Sequence, residues 1–262
     1  MIPRLFTPLA LSQGAIVPLD AAASHHVSRV LRLGSGAPVE LFDGRGQAAD
    51  ATIVSTSPLT VRIEQVHPPA APPILHLTLA QCISAADKMD WTIEKAVELG
   101  VAAIAPLQSH KAIVKLSPER AARRHQHWER LILAASAQSR RNLVPELQPA
   151  MKLDDWLRPG EGHAGGMQAS GRDAALRLIL DPRAPQSLPA VMAGQQPDGD
   201  GDDRPRRVVL LCGPEAGFSD TEWRQAAETG WLPARLGPRV LRTETAGLAA
   251  LAVLQAGWGD LR

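Results

Sequence analysis

The chain has 262 residues, 45% of them hydrophobic and 21% charged, with a formal net charge of +1. That length suits one large or two modest domains with a packed core, and it excludes wholesale disorder. A near-neutral balance also excludes nucleic-acid binding by bulk charge, so any RNA site is a local patch; with three Phe, six Trp and no Tyr, a base-stacking platform is hard to build. Cys82 and Cys212 lie far apart without metal-ligand spacing and read as small buried apolar residues in a reducing compartment. His25-His26 are adjacent, so on a helix they point in different directions, and no Cys or acidic cluster joins them. No metal is expected. The first residues, Met1 to Phe6, lack the apolar run of a signal peptide, and no stretch approaches the ~18 apolar residues of a membrane span. A cytoplasmic protein without a membrane partner is the expectation.

Residues 1 to about 70 predict a small, mostly β domain. Val39–Phe42, Ala51–Val54 and Thr60–Ile63 read as strands, with a hairpin-type turn at Asp43-Gly44-Arg45-Gly46. One helix is predicted over Ala21–Leu33, ended by Gly34. Pro68, Pro69, Pro72 and Pro73 then make a stiff connector, the best domain boundary in the chain. From 74 to 262 the pattern alternates strand and helix, which predicts an α/β domain with a parallel sheet. Strands are expected at Ile74–Ala80, Val101–Leu107, Leu176–Leu180, Arg207–Cys212 and Leu232–Leu236. Helices are expected at Lys88–Leu99 with Gly100 as its stop, at Pro118–Ser139, from a Ser219-Asp220-Thr221-Glu222 capping box to Gly230, and at Thr243–Trp258. Pro159–Arg172 and Gln195–Pro205 read as loops; the second alternates Asp and Gly but lacks the Glu that closes a calcium loop.

Two C-terminal loops carry the strongest chemical signal: Gly213-Pro214-Glu215-Ala216-Gly217 and Leu236-Gly237-Pro238-Arg239-Val240-Leu241-Arg242-Thr243-Glu244-Thr245. Each follows an apolar strand, the first of them ending through Leu211, and opens a helix. Both therefore emerge at the carboxyl edge of a parallel sheet, where ligands bind. Their glycines allow close backbone approach, and their N–H groups suit an adenine edge or ribose hydroxyls. Either loop alone is an ordinary strand–helix turn; the pair, with Arg242 and Glu244 beside Thr243, is more particular. Neither a phosphate-cradling Gly-rich Lys loop nor a dinucleotide fingerprint occurs, and no Ser/His/Asp or Cys/His set is visible.

The second signal is basic. Between Lys111 and Arg141 eight Lys or Arg face only Glu119 and Glu129, a local excess of +6. Phosphate contacts are the natural use, against the plain alternative of a solvated helix face. Arg140-Arg141-Asn142 adds planar groups suited to base edges or phosphates. Lys88–Gly100 alone reads as a structural amphipathic helix.

Three blocks together resemble the bacterial 16S rRNA uridine-N3 methyltransferase family (RsmE): Lys88-Met89 with Lys95-Ala96-Val97-Glu98-Leu99-Gly100-Val101; Gln138-Ser139, Arg141-Asn142 and Val144-Pro145-Glu146; and Gly213-Pro214-Glu215 with Leu236 to Ala246. Pro3-Arg4-Leu5-Phe6 and His26-Val27 with Arg29-Val30-Leu31-Arg32 are similar too, so the likeness runs through nearly the whole chain. It implies a PUA-like barrel over 1–70 and, over 74–262, a SPOUT domain whose parallel sheet carries a C-terminal trefoil knot, an exception to the rule against knots. It also implies a homodimer that binds S-adenosylmethionine (SAM) and methylates N3 of one uridine in 16S rRNA, free or in the small ribosomal subunit. The cofactor set would be Leu211, Gly213, Pro214, Glu215, Gly217, Leu236, Gly237, Val240, Leu241, Arg242 and Thr243. Arg242 would stabilise the uridine anion, while Glu215 or Glu244 would be the base or hold Arg242 in place. Arg4, Arg29, Arg32, Lys111, Arg141 and Asn142 are candidate RNA contacts. Ala216 stands where a second glycine is usual, Ala137 and Arg140 where an acidic residue and a glycine are, and Leu143 replaces a basic residue. Two alternatives remain: a ribose 2′-O or tRNA methyltransferase of the same knotted class, and a non-enzymatic RNA-binding ribosome-assembly factor. The identity of the methylated nucleoside separates the first, and SAM binding the second.

Overall fold

The computed structural model describes residues 2–112, 114–158, 175–195 and 206–261. The loops expected at Pro159–Arg172 and Gln195–Pro205 lie outside these, save Gln195. The chain divides into two compact units, Met1–Pro72 with Leu133–Val144, and Pro73–Ile132 with Pro145–Arg262. An expectation that ran the second domain unbroken from 74 to 262 thus differs at 133–144, which groups with the first unit.

In the first unit β1 (Arg4–Phe6), β2 (Ile16–Pro18), β3 (Pro38–Phe42), β4 (Ala48–Thr56) and β5 (Leu59–Val66) form one sheet in the order β1-β3-β4-β5-β2. Period-two alternation puts Ala51, Ile53, Val61 and Ile63 on one buried face, with Leu5, Val17 and Val39 in the same core. The turn between β3 and β4 is built by Asp43, whose Oδ1 accepts from the N–H groups of Arg45 and Gln47 at 2.8 and 2.9 Å. The helix predicted over 21–33 is shorter. Asp20 caps α1 (Ala21–His25), a π turn follows over His26–Val30, and Arg32 at φ 53° ends the run two residues before Gly34. Only Val27 of this stretch is fully buried, so little apolar periodicity holds a longer helix in place.

The second unit contains β6 (Leu75–Cys82), α2 (Ala86–Glu98), β7 (Ala103–Gln108), most of α3 (Pro118–Gln138), β8 (Glu146–Leu147), β9 (Met151–Lys152), α4 (Leu153–Leu157), β10 (Leu176–Leu180), α5 (Leu188–Gly194), β11 (Arg206–Cys212), α6 (Asp220–Glu228), β12 (Leu232–Ala234) and α7 (Thr243–Trp258). The sheet order is β12-β10-β11-β6-β7-β8 with β9 also on β7, and all these pairings are parallel. The central strands are apolar because both faces are covered: Leu77, Leu79, Leu178, Leu210 and Leu211 have no exposed surface. The short β8, β9, α4 and α5 escaped the sequence reading, being too brief to show a period.

After β12, at the sheet's edge beside β10, the chain turns back and buries α7 against β11, β6 and α2. Gly247 makes the approach possible, since a Cβ there would lie 3.2 Å from both Cys212 Sγ and Gln81 Oε1. On the sheet's flank, Asp90 of α2 accepts from Trp128 Nε1 at 3.0 Å and meets His127 Nε2 at 2.7 Å, clasping α2 to α3.

Candidate functional site

The carboxyl ends of β10, β11 and β12 open into a cavity of about 740 Å³. From the first loop Gly213, Pro214, Glu215 and Gly217 line it; from the second, Leu236, Val240, Leu241 and Arg242; Thr243 and Glu244 follow as α7 begins. Leu211 and Gly237 do not face the cavity. Leu211 is sealed within the sheet core beneath it, and Gly237, at φ 85°, shapes the loop's turn. Gly217, at φ 70°, turns the first loop, while Ala216 is not in the left-handed region, so its methyl meets no backbone penalty. Val240 is 80% exposed, an apolar side chain held out at the cavity wall.

Thr243 is consumed internally. Its hydroxyl donates to Gly213 O at 2.5 Å and accepts from Gln81 Nε2 at 2.9 Å, pinning the second loop to the first and to β6. Arg242 is exposed, and no carboxylate pairs with it among the described residues. The reading in which Glu215 or Glu244 holds Arg242 is therefore corrected: both face Lys88, Glu244 at 3.4 Å and Glu215 at 4.0 Å. Lys88 was read from sequence as part of a structural helix, because a contact 127 or more positions away leaves no local pattern.

Asp181 is a second residue missed. It follows β10 at the sheet's carboxyl edge, lines the cavity, and accepts from Arg183 Nε at 3.2 Å, Arg183 Nη2 at 3.1 Å and Trp223 Nε1 at 2.8 Å. Burial pushes its carboxyl up, but these donors outweigh burial and hold it below the ordinary value. A polar Asp-Pro-Arg directly after an apolar strand was the available signal. Burial pushes the thiols of Cys212, on the cavity lining, and of Cys82, in the sheet core, well up, so both are inert apolar packing.

The far end of the first loop is fixed by the predicted capping box. Ser219 N donates to Glu222 Oε2 at 2.7 Å and Glu222 N to Ser219 Oγ at 3.2 Å, while His110 N donates to Glu222 Oε1 at 2.8 Å. His110 also meets Ser219 Oγ at 3.2 Å and Asp154 Oδ2 at 2.5 Å. A Ser/His/Asp set thus does assemble, invisible in a sequence where its members lie 44 and 109 positions apart; its serine is already engaged as a helix cap. His110, Asp154 and Glu222 bring ligand-type atoms within 4.8 Å of one another, yet both Glu222 oxygens already accept backbone N–H bonds. Lys111, placed among the RNA candidates, is exposed, donates to Phe218 O at 3.0 Å and lines the cavity.

The remaining RNA candidates divide. Arg29 and Arg32 are exposed on the first unit. Arg4 is not available: its side chain is 3% exposed, its Nε donates to Glu40 at 2.8 Å, its guanidinium lies 4.7 Å over the Phe42 ring, and it binds Asn142 Oδ1 and the carbonyls of Ser136 and Arg141. Asn142 is thereby engaged as well. Burial lowers the Arg4 pKa, with the Glu40 carboxylate opposing that fall.

The parallel sheet and its carboxyl-edge cavity define an α/β protein with a nucleoside-type site and no phosphate loop. Residues 71–255 match the RNA methyltransferase domain family and residues 19–65 the RNA methyltransferase PUA domain. A Legionella pneumophila structure, described as a putative methyltransferase with the bound cofactor SAM, superposes with a TM-score of 0.85 at 36% identity over 100% of both chains. Ribosomal RNA small subunit methyltransferase E from Neisseria gonorrhoeae, bound to S-adenosyl methionine, does so at 0.82 and 33%, again over 100% of both. The protein of that name from Buchnera aphidicola of Schizaphis graminum is 28% identical, covering 99% of this chain and 98% of its own. The chain belongs to the RNA methyltransferase family, in its small-subunit methyltransferase E (RsmE) branch. The fold is the expected one, a SPOUT-type α/β domain preceded by a PUA-like domain.

Proposed function

We propose that this chain methylates N3 of a uridine in small-subunit rRNA, using SAM, in the cytoplasm and as a homodimer. The observation that carries the reading is the cavity itself. Its volume lies within the roughly 300–1,000 Å³ of small-molecule sites, and it is built from two loops of the kind that suit a nucleoside. Leu236, Val240 and Leu241 would hold the flat adenine, and the loop backbones its polar edge and the ribose. When bound, SAM supplies a methyl group on a cationic sulfur. The protein's own work is to orient the uridine and to manage the N3 proton. Arg242, exposed at the cavity and permanently charged, is placed to stabilise negative charge on the uridine's O2 or O4. Arg29, Arg32 and the exposed Arg120, Arg123 and Arg130 of α3 are suited to phosphates. Among the described residues no helix is long and apolar enough to cross a membrane. Trp91, 45% exposed on α2, and Val240 offer apolar surface for a second copy.

The test combines calorimetry of SAM binding with mass spectrometry of nucleosides from 16S rRNA of a strain lacking the gene. Loss of N3-methyluridine, restored on complementation, is expected. Loss of a ribose-methylated nucleoside, or a folded protein that binds no SAM, overturns the reading. Light scattering checks the dimer.

A further inference from the structure

The two carboxylates of the cavity are not equivalent, and a lysine outside both loops distinguishes them. Lys88 stands in the first turn of α2, whose buried face of Met89, Ile93, Ala96 and Val97 fixes the helix in the core and whose neighbour is α7. The Lys88 ammonium therefore has a set position beside the start of α7. Glu244 turns Oε1 toward it at 3.4 Å; the Glu244 side chain is 12% exposed, and its Oε2 is sealed without a hydrogen-bond partner. A group arriving in the cavity cannot reach that oxygen unless the side chain moves. Glu215 lies 4.0 Å from the same ammonium and is 26% exposed, on the loop that borders the cavity. One cation thus separates a carboxylate with one sealed oxygen from a more reachable one, and without it two like charges would face each other.

We propose that Lys88 is a positioning residue: anchored by the half-buried Glu244, it orients Glu215, and Glu215 takes the proton from N3 of the target uridine. This rests on the N3 reading above. In the step, the N3–H bond breaks and its electron pair stays on N3; that pair would form the new N3–CH3 bond as the methyl–sulfur bond of bound SAM breaks and its electrons return to sulfur, leaving a neutral thioether. The proton bonds to a Glu215 oxygen and passes to water once the product has left. Glu244 acts only through Lys88.

The test measures kcat, the KM for unmodified small subunits, SAM affinity by calorimetry and the modified nucleoside by mass spectrometry. E215Q is expected to lower kcat by roughly 100-fold or more, the loss typical of a missing general base, with SAM affinity retained. K88M and E244Q should each cost roughly tenfold in kcat at unchanged KM, and the double variant should be no slower than either single, since residues acting as one unit do not add. K88R should recover most of the loss. Should K88M or E244Q alone fail to fold, as a melting curve would reveal, the double variant removes both charges together and carries the comparison with E215Q. The proposal is overturned by E244Q slower than E215Q, by losses that multiply in the double variant, or by K88M acting only on SAM affinity. A wild-type product other than N3-methyluridine overturns the underlying reading and this proposal together; N3-methyluridine with any of those patterns overturns the proposal alone.

Discussion

The loops at 213–217 and 236–242 and the turn at 139–144 solve opposite problems with similar materials. The second loop and the turn carry arginines, and Ala216 and Arg140 are the two positions where the family resemblance leads one to expect glycine. In the first loop that residue, Ala216, stays out of the left-handed region because Gly217 next to it makes the turn. In the second case Arg140 itself adopts φ 62° at the end of α3. Arg141 N there donates to Ser136 O at 2.9 Å, closing the helix with a Schellman-type bond. The left-handed cost, about 1–2 kcal/mol for a side-chain-bearing residue, is offset in part by the Arg140 Nη2–Glu40 Oε2 pair at 2.7 Å. The turn spends its polar groups on itself, with Arg4, Asn142 and Glu40 in one network. The loops instead leave Arg242, Val240 and Glu215 presented to the cavity. A guanidinium is a candidate for chemistry when the fold has left it unspent.

Arg242→Ala tests that contrast most strongly. It should lower the methylation rate about 100- to 1,000-fold, as loss of a charge-stabilising donor does, with the melting temperature and SAM affinity near wild type. A rate close to wild type would place Arg242 outside the reaction. Arg4→Ala should do the reverse, costing about 3 kcal/mol in urea unfolding because Glu40 and the carbonyls lose a buried partner; weakened RNA binding with unchanged stability would break the comparison. Glu222→Gln sits between. Burial raises the Glu222 carboxyl, but hydrogen bonds from Ser219 and His110 outweigh that and hold it below the ordinary 4.5. A depressed folded pKa means the stabilisation is present above the ordinary value and is lost as pH falls through the folded one. The variant should thus be about 1–2 kcal/mol weaker at neutral pH, the gap closing in strong acid; a pH-independent gap would point to packing instead. Gly217→Ala meets no atom within 4 Å, so only the backbone is strained. It should cost about 1 kcal/mol, whereas Ala216→Gly should cost less. Arg140→Gly has the smallest expected effect, because relief of strain and loss of an exposed ion pair cancel to within about 1 kcal/mol.

What the sequence revealed was what is encoded locally. The bounds Thr243–Trp258, the Ser219 capping box and the apolar strand Leu176–Leu180 stand where pattern and caps put them. The cavity loops were legible because strand–turn–helix order fixes which sheet edge they occupy. What escaped depends on contacts between distant positions. Lys88 gains meaning only once α2 lies against α7, His110 once β7 brings it to Ser219, and Arg4 once Phe42, Glu40 and Asn142 close around it. Arg4 also shows how a basic residue in a suggestive motif misleads: its surroundings, 36 to 138 positions away, decide whether it meets solvent.

The Thr243 hydroxyl joins three stretches of chain, Gln81 at the end of β6, Gly213 after β11 and the start of α7. Such a pin sets an order of events during synthesis. The polypeptide emerges from its N-terminus, so β6 waits while more than 160 residues follow it before the hydroxyl that locks the site exists. A nascent chain halted before residue 243 lacks the hydroxyl that joins the two loops and the Thr243 and Glu244 of the cavity lining. Ligand protection of the C-terminal segment would therefore report that all three stretches have come together.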